Sequence, residues 1–184
     1  FYRKRKRKSS SILVLANREK KLNLLIYDSV NKILIANKIL APKLLSENYS
    51  KNYIEIQDFG NQTLFNLLKN EKYNKFFIFK KVIKLLIKIQ LIKERKIKNF
   101  KKENYIIPYY TEKILLKEAK LFSDWYAAKR LQKHEILTFK KKFSLIIKSL
   151  IKKLHFKNKI FVHRDFHVSN LMMVKNEIGV IDSQ

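Results

Sequence analysis

The sequence predicts an α+β fold, with a small β-containing portion over residues 1–60 and a larger, mainly helical portion over residues 61–184. Three observations predict it. Short runs at Ser11–Leu15 and Tyr53–Phe59 have the length and pattern of strands. From Thr63 to Leu154 most segments instead repeat their apolar residues at three- and four-residue steps, the helical period. β-type runs return only after Lys159, two of them close enough to form a hairpin.

Ser11–Leu15 is a short apolar run suited to a buried strand. From Glu19 to about Ile39, Leu22, Leu25, Ile26, Val30, Ile33 and Leu34 fall on one helical face. Ala41-Pro42 ends that helix, because a proline drives the residue before it out of the α region. Tyr53–Phe59 alternates as a half-buried strand. After Gly60 the helical pattern covers Thr63–Lys69, Phe76–Lys93, Thr111–Lys133 and Glu135–Leu154, with loops at Asn99–Asn104 and around Pro108. Lys159–Val162, Leu171–Val174 and Glu177–Ile181 read as strands, the last two joined by Lys175-Asn176. The change of character at Asp58–Asn61 marks the expected meeting of two lobes, a natural place for a ligand cleft.

Composition narrows the function classes. With 184 residues and 46% hydrophobic content, the chain can bury a core of ordinary size. It has no cysteine, which excludes a disulfide framework, a thiolate zinc site and a cysteine nucleophile, and fits a reducing compartment, the cytoplasm by default. No apolar run reaches the roughly 18 residues of a spanning helix; Val82–Ile92 is broken by Lys84, Lys88 and Gln90. Phe1-Tyr2 and the basic residues behind it lack the apolar core of a secretory signal, and the expectation is a chain missing its first residues. The net charge of +27 raises nucleic acid, anionic membranes and phosphate-bearing ligands as partners. The lysines are spread along the chain, however, and arginine, the better base and phosphate reader, is scarce. A bias toward A/T-rich codons produces the same surplus.

The segment with the most specific chemistry is Phe161-Val162-His163-Arg164-Asp165-Phe166-His167-Val168-Ser169-Asn170, followed beyond the hairpin by Gly179-Val180-Ile181-Asp182. It sets an Asp, an Asn five residues later and a second Asp twelve residues beyond that, with apolar runs around them. Phosphoryl transfer needs a carboxylate that orients the attacking hydroxyl and accepts its proton, and oxygen ligands for the Mg²⁺ that bridges the phosphates. Asp165 suits the first part; Asn170 and Asp182 suit the second. The same spacing, HxD with Asn five residues after the Asp and a metal-binding Asp downstream, marks protein-kinase catalytic loops.

His163–Asn170 with Ile181-Asp182 resembles the motif of aminoglycoside phosphotransferase and choline kinase-like enzymes. Ser183-Gln184 stands where protein kinases carry Phe-Gly. The resemblance implies a protein-kinase-like two-lobed fold, with a partial N-terminal nucleotide-binding lobe over 1–60 and a helical lobe carrying the catalytic loop and metal-binding hairpin over 61–184. It also implies ATP and Mg²⁺ as cofactors. Glu55, Ile56, Gln57 and Asp58, in the run Glu55–Asn61, resemble the hinge strand whose backbone holds adenine. Pro108-Tyr109 with Glu118, Leu121-Phe122 and Trp125-Tyr126 resembles the helical insert of a bacterial subgroup that phosphorylates amino sugars on the anomeric hydroxyl. By that resemblance Glu118, Trp125, Tyr126 and His167 contact the acceptor, N-acetylmuramate or N-acetylglucosamine. Three departures stand out: no lysine on Ser11–Leu15 to grip the phosphates, Tyr110 where that subgroup often has Asp, and segments missing at both ends. A monomer without membrane span or specific nucleic-acid partner is expected.

The remaining features have plainer readings. Arg3–Lys8 reads as a solvated basic turn, Lys80–Lys93 as core of the helical lobe, and Phe76, Phe77 and Phe79 as packing. His134 and His155 read as surface or helix-end residues. The rival reading from another class is a basic nucleic-acid- or membrane-binding module in which the kinase pattern is a relict.

Overall fold

In the computed structural model, which describes residues 1–7, 9–17, 20–70, 73–154 and 160–183, β1 (Tyr2–Lys6) and β2 (Ser9–Leu15) pair antiparallel, Tyr2 opposite Leu13 and Lys6 opposite Ser9. The basic run expected as a solvated turn is therefore mostly an edge strand. Backbone pairing makes no demand on side-chain polarity, and charged residues protect an exposed edge from pairing with other chains. Lys8 lies outside the described residues. On the other side of β2 runs β4 (Tyr53–Gln57), itself paired with β3 (Leu44–Asn48), giving the antiparallel order β1-β2-β4-β3. Sequence reading finds β2 and β4 but misses β3, whose Ser46-Glu47-Asn48 carries no apolar alternation and whose register shifts between Leu44 and Ser46.

The helix expected between the strands is α1 (Leu22–Ala36). Its expected start, Glu19, lies outside the described residues. It ends short of Ile39 because the Asn37 amide closes on the Ile33 and Leu34 carbonyls and Lys38 turns left-handed at φ 56°. α1 lays Leu24 and Tyr27 on Val14, Ala16, Ile54 and Ile56, with Tyr49 and Phe100 packed at the rim. Each large side chain buried in this way contributes about 1.5–3 kcal/mol.

Two helices follow. Thr63 caps α2 (Leu64–Leu68) by accepting from the Asn66 amide at 3.2 Å, and Asn74 caps α3 (Lys75–Gln90) by accepting from the Phe77 amide at 3.4 Å. Contrary to expectation, Phe76, Phe77 and Phe79 are exposed; α3 buries Ile78 and Ile89, and Phe76 meets Phe77 edge-on at 6.1 Å. The loop expected at Asn99–Asn104 is the turn of a small hairpin, β5 (Lys96–Lys98) with β6 (Asn104–Ile106). Asn99 organises that turn, its Oδ1 accepting from the Lys101 and Glu103 amides at 2.9 and 3.1 Å. Strands of three residues are too short to show a period.

The chain forms two compact units, Phe1–Pro108 with Val162–Gln184, and Tyr109–Phe161. In the second unit the single helix expected over Thr111–Lys133 is broken: α4 (Glu112–Leu121) runs into a π turn at Phe122–Tyr126 and a 3₁₀ turn at Ala127–Lys129, before α5 (Glu135–Lys153). The break coincides with an aromatic cluster in which Phe122 lies 5.3 Å from Tyr126 and 5.4 Å from Phe143. His134 sits at the start of α5, and His155 lies outside the described residues.

The strand expected at Lys159–Val162 does not form among its described residues: Lys159 lies outside them, and 160–162 carry no strand pairing. The expected terminal hairpin forms, β7 (Leu171–Val174) with β8 (Glu177–Val180), and Lys175 takes the positive φ of 56° that tight hairpin turns need. Backbone links stitch it to the first half of the chain. Thr63 bridges Met172, the Met173 amide donates to the Gln62 carbonyl at 2.8 Å, and the Val180 amide donates to the Leu40 carbonyl at 2.8 Å. Among the described residues no helix is long and apolar enough to cross a membrane.

Candidate functional site

Those backbone links bring the segment after β4 beside the segments flanking the β7–β8 hairpin, and a cavity of about 500 Å³ opens between them. Ile12 of β2 and Ile56 of β4 supply apolar wall, Gln57, Asp58, Phe59 and Gly60 one edge, and Asn170, Met172, Ile181 and Asp182 another. An apolar slot with polar groups converging on one side suits a flat, polar-edged ligand. Of the four residues expected at a nucleotide, Ile56, Gln57 and Asp58 line this cavity. Glu55 does not: on the strand face opposite Ile56, it accepts from Ser11 Oγ at 2.6 Å and pairs with Lys4 at 3.3 Å.

The segment before β7 is folded by its own hydrogen bonds. The Asn170 amide group donates to Asp165 Oδ2 at 2.8 Å and to the Asp165 carbonyl at 3.2 Å, and the Asn170 backbone amide donates to the His167 carbonyl at 2.9 Å. His167 Nδ1 accepts from the Ser169 amide at 3.2 Å, so in the neutral ring Nε2 carries the proton and faces Asp165 Oδ1 at 3.2 Å. The Asp165 carboxylate is thus aimed by two neighbours while remaining exposed. The Ile181 amide donates to the Asn170 carbonyl at 3.0 Å, which ties the residue before Asp182 to Asn170. Asp182 itself adopts φ 56°, a strained conformation for a side-chain-bearing residue and one that clusters at functional sites.

His163 is buried, and burial pushes its imidazole below the ordinary range, against contrary pulls from backbone contacts and the charges of Asp165 and Asp182. Its ring meets Phe166 edge-on at 6.0 Å, the placement of a packed, neutral histidine. Glu118, Trp125 and Tyr126 belong to the second unit. Glu118, on α4, accepts from the Tyr110 hydroxyl; Trp125 and Tyr126, on the π turn, expose their rings, and Tyr126 stacks on Phe122.

Asn170 and Asp182 offer an amide and a carboxylate oxygen at the rim of the same cavity, with the Asn170 nitrogen already committed to Asp165. Hard oxygen donors of this kind fit Mg²⁺, which takes few protein ligands and completes its shell with water and phosphate oxygens. Among the described residues no cluster of three His, Cys, Asp or Glu side chains offers a self-contained metal cage.

The chain resembles N-acetylmuramate/N-acetylglucosamine kinases. It is 26% identical over 180 residues to the one from Neisseria meningitidis, covering 95% of this chain and 50% of that protein. With the Pseudomonas aeruginosa kinase of the same name it shares 26% over 147 residues, 78% of this chain and 39% of the relative. With the Pseudomonas putida one it shares 24% over 160 residues, 85% of this chain and 43% of the relative. The chain thus spans about half the length, or less, of the curated relatives it matches. No protein-family profile matches it.

Arg3 and Tyr27 are among the cavity residues that escape sequence reading. Arg3 sits in a run of alternating Arg and Lys that hides which side chains face inward. Tyr27 lines the cavity from α1, and its signal was present in the sequence: Tyr27, Asp28 and Asn31 are polar residues set among the apolar positions of that helix.

Proposed function

We propose that the chain carries the nucleotide-binding and catalytic parts of an ATP-dependent kinase that phosphorylates a hydroxyl of an amino sugar, the anomeric hydroxyl of N-acetylmuramate or N-acetylglucosamine. The observation that carries the reading is the Asp165–Asn170 pair set beside Asp182 and a cavity edged by Ile56, Gln57 and Asp58. The names of the three relatives support it, as does the kinase-type spacing of these residues.

In this reading the cavity takes the adenine against Ile12 and Ile56, with backbone groups near Gln57 and Asp58 at its edge. Mg²⁺, when bound by Asp182 and Asn170, neutralises charge on the phosphates. Asp165 orients the sugar hydroxyl and takes its proton, and it needs little reorganisation because Asn170 and His167 already hold it. His167, whose Nε2 lies 3.2 Å from Asp165 Oδ1, contacts the acceptor in this reading. In the second unit Glu118 has the chemistry to bind sugar hydroxyls, and Trp125 or Tyr126 to stack on the apolar face of the ring. The protein-kinase-like two-lobed fold and the aminoglycoside phosphotransferase family are part of the same proposal.

The test is ADP release from Mg²⁺-ATP with N-acetylmuramate, N-acetylglucosamine, choline, homoserine and kanamycin, with the product position read by phosphorus NMR. The expected result is turnover on the amino sugars with phosphate on the anomeric oxygen. Preference for choline or kanamycin overturns the acceptor; no turnover and no Mg²⁺-ATP binding overturn the kinase reading.

A further inference from the structure

The register of the sheet decides which cation of β1 reaches the cavity. Arg3 stands opposite Ile12, and Ile12 opposite Ile56, so the three share one face of the sheet. All three line the cavity. Lys4, the next residue, turns to the other face and pairs with Glu55 at 3.3 Å. At the rim, the chain after β4 makes a tight turn in which Gly60 takes φ 85° and its amide donates to Asp58 Oδ1 at 2.8 Å. The Arg3 guanidinium closes on that turn with each of its nitrogens. Nε lies 2.7 Å from Asp58 Oδ2, Nη2 donates to Asp58 Oδ1 at 3.0 Å and to the Gly60 carbonyl at 2.6 Å, and Nη1 donates to Asn61 Oδ1.

We propose that Arg3 is a positioning residue for the nucleotide base: it locks the Asp58–Asn61 turn into the shape that edges the cavity, and it does not itself grip phosphate. The inference rests on the proposed reading of the cavity as a nucleotide site. The geometry favours positioning over an ion pair that serves stability alone for two reasons. The contacts run along the whole turn, to a carboxylate, a backbone carbonyl and a side-chain amide, and a planar fork that meets several acceptors fixes orientation as well as distance. The acceptors also belong to the rim itself, so losing Arg3 changes the wall of the cavity and not a distant surface. Without the fork, a turn built on a left-handed glycine is free to take other shapes. A ligand then binds only the fraction of molecules whose rim has the right one. The same contacts argue against a phosphate-gripping role, because a guanidinium whose nitrogens are all engaged at the rim has little left to offer phosphate oxygens.

The test titrates adenosine, ADP and Mg²⁺-ATP into the full chain and into Arg3→Ala, Arg3→Lys and Lys4→Ala, each well below its own melting temperature. Arg3→Ala is expected to weaken all three ligands by a similar factor of about 10-fold, because the competent fraction multiplies every affinity alike. Arg3→Lys recovers little, since an ammonium lacks the planar fork. Lys4→Ala, which removes a cation from the same strand but from the other face, leaves the affinities unchanged. A loss confined to ADP and ATP, with adenosine binding intact, makes Arg3 a phosphate ligand and overturns the inference. Unchanged affinities in Arg3→Ala, in a parent chain that binds the ligands, reduce Arg3 to a stability role and overturn it too, while the kinase reading stands. A parent chain that binds none of the three overturns the nucleotide reading of the cavity and this inference with it. The Arg3 Nε proton, followed by NMR in the parent chain, needs no variant to fold: slow exchange that persists when ADP binds supports the lock, and free exchange in either state overturns it.

Discussion

Arg3 Nε lies 2.7 Å from Asp58 Oδ2, tying the edge strand β1 to the segment that follows β4. The same guanidinium donates to the Gly60 carbonyl at 2.6 Å and to the Asn61 side chain, so one side chain serves three acceptors along the rim of the cavity. The Asp58 side chain is 3% exposed and the Arg3 side chain 28%. Arg3→Ala leaves a buried carboxylate short of its partner, and a loss of about 1–3 kcal/mol is expected by urea unfolding. Arg3→Lys recovers little of it, because an ammonium cannot reproduce the planar fork. Equal stability of Arg3→Lys and the parent would show that the fork geometry is irrelevant.

The same pair sets an acid limb. Burial pulls the Asp58 carboxyl upward, but hydrogen bonds from Ser10, the Gly60 amide and Arg3, with the Arg3 charge, hold it below the usual carboxylate value. A depressed carboxyl contributes stability that is present above its unfolded value, about 4, and is lost as pH falls through the lower folded value. Asp28, which burial raises against its pairing with Lys32, works with the opposite sign. Unfolding midpoints measured from pH 7 to pH 3 are therefore expected to fall less steeply in Asp58→Asn than in the parent. Parallel curves would remove Asp58 from the acid limb.

The legible and illegible parts of the chain differ in kind. β4 and α1 are legible because burial on one face imposes a period on their apolar residues, and β2 and the β7–β8 hairpin because they are short runs rich in apolar residues. β1, β3, β5 and β6 are not: they are edge strands or three-residue pairs whose structure lies in backbone hydrogen bonds, on which side-chain pattern is silent. The break at Phe122 is equally hidden, since the period of α4 continues through it while the aromatic contacts are tertiary. At the site, Asp165, Asn170 and Asp182 are legible as residue types at fixed spacing. Tyr27 and Arg3 lie on elements remote in sequence, and only the fold brings them to the cavity.

Gly179 tests the contact between β8 and the cavity wall. A Cβ there would stand 2.7 and 2.9 Å from two ring atoms of Phe59 and 3.4 Å from Leu40 Cδ2. Phe59 lines the cavity, so the ring must move for the methyl group to fit. Gly179→Ala is expected to cost about 1–3 kcal/mol in thermal unfolding and to weaken ATP binding through the displaced ring. A variant that binds ATP with unchanged affinity would falsify the coupling.

The three motif residues are expected to fail in different ways when replaced. On the proposed reading Asp165→Asn removes the base and keeps the shape, so turnover is expected to fall by about 10²–10⁴ with Mg²⁺-ATP affinity nearly unchanged, since a base acts mainly in the transition state. Asp182→Ala removes the only carboxylate offered to the metal at the cavity rim among the described residues besides Asp58, which is engaged by Arg3. Its expected effect is loss of metal-assisted nucleotide binding, because an anionic oxygen neutralises Mg²⁺ whereas an amide oxygen only ligates it. Asn170→Ala combines a milder form of both defects. It takes away the proposed amide ligand and also frees Asp165, which Asn170 holds at 2.8 Å, so metal affinity and turnover are expected to fall together. Isothermal titration with Mg²⁺-ATP and steady-state turnover on the three variants separate these patterns. If Asp182→Ala and Asn170→Ala weaken nucleotide binding equally, the charge argument is wrong; if Asp165→Asn turns over at near the parent rate, Asp165 is not the base.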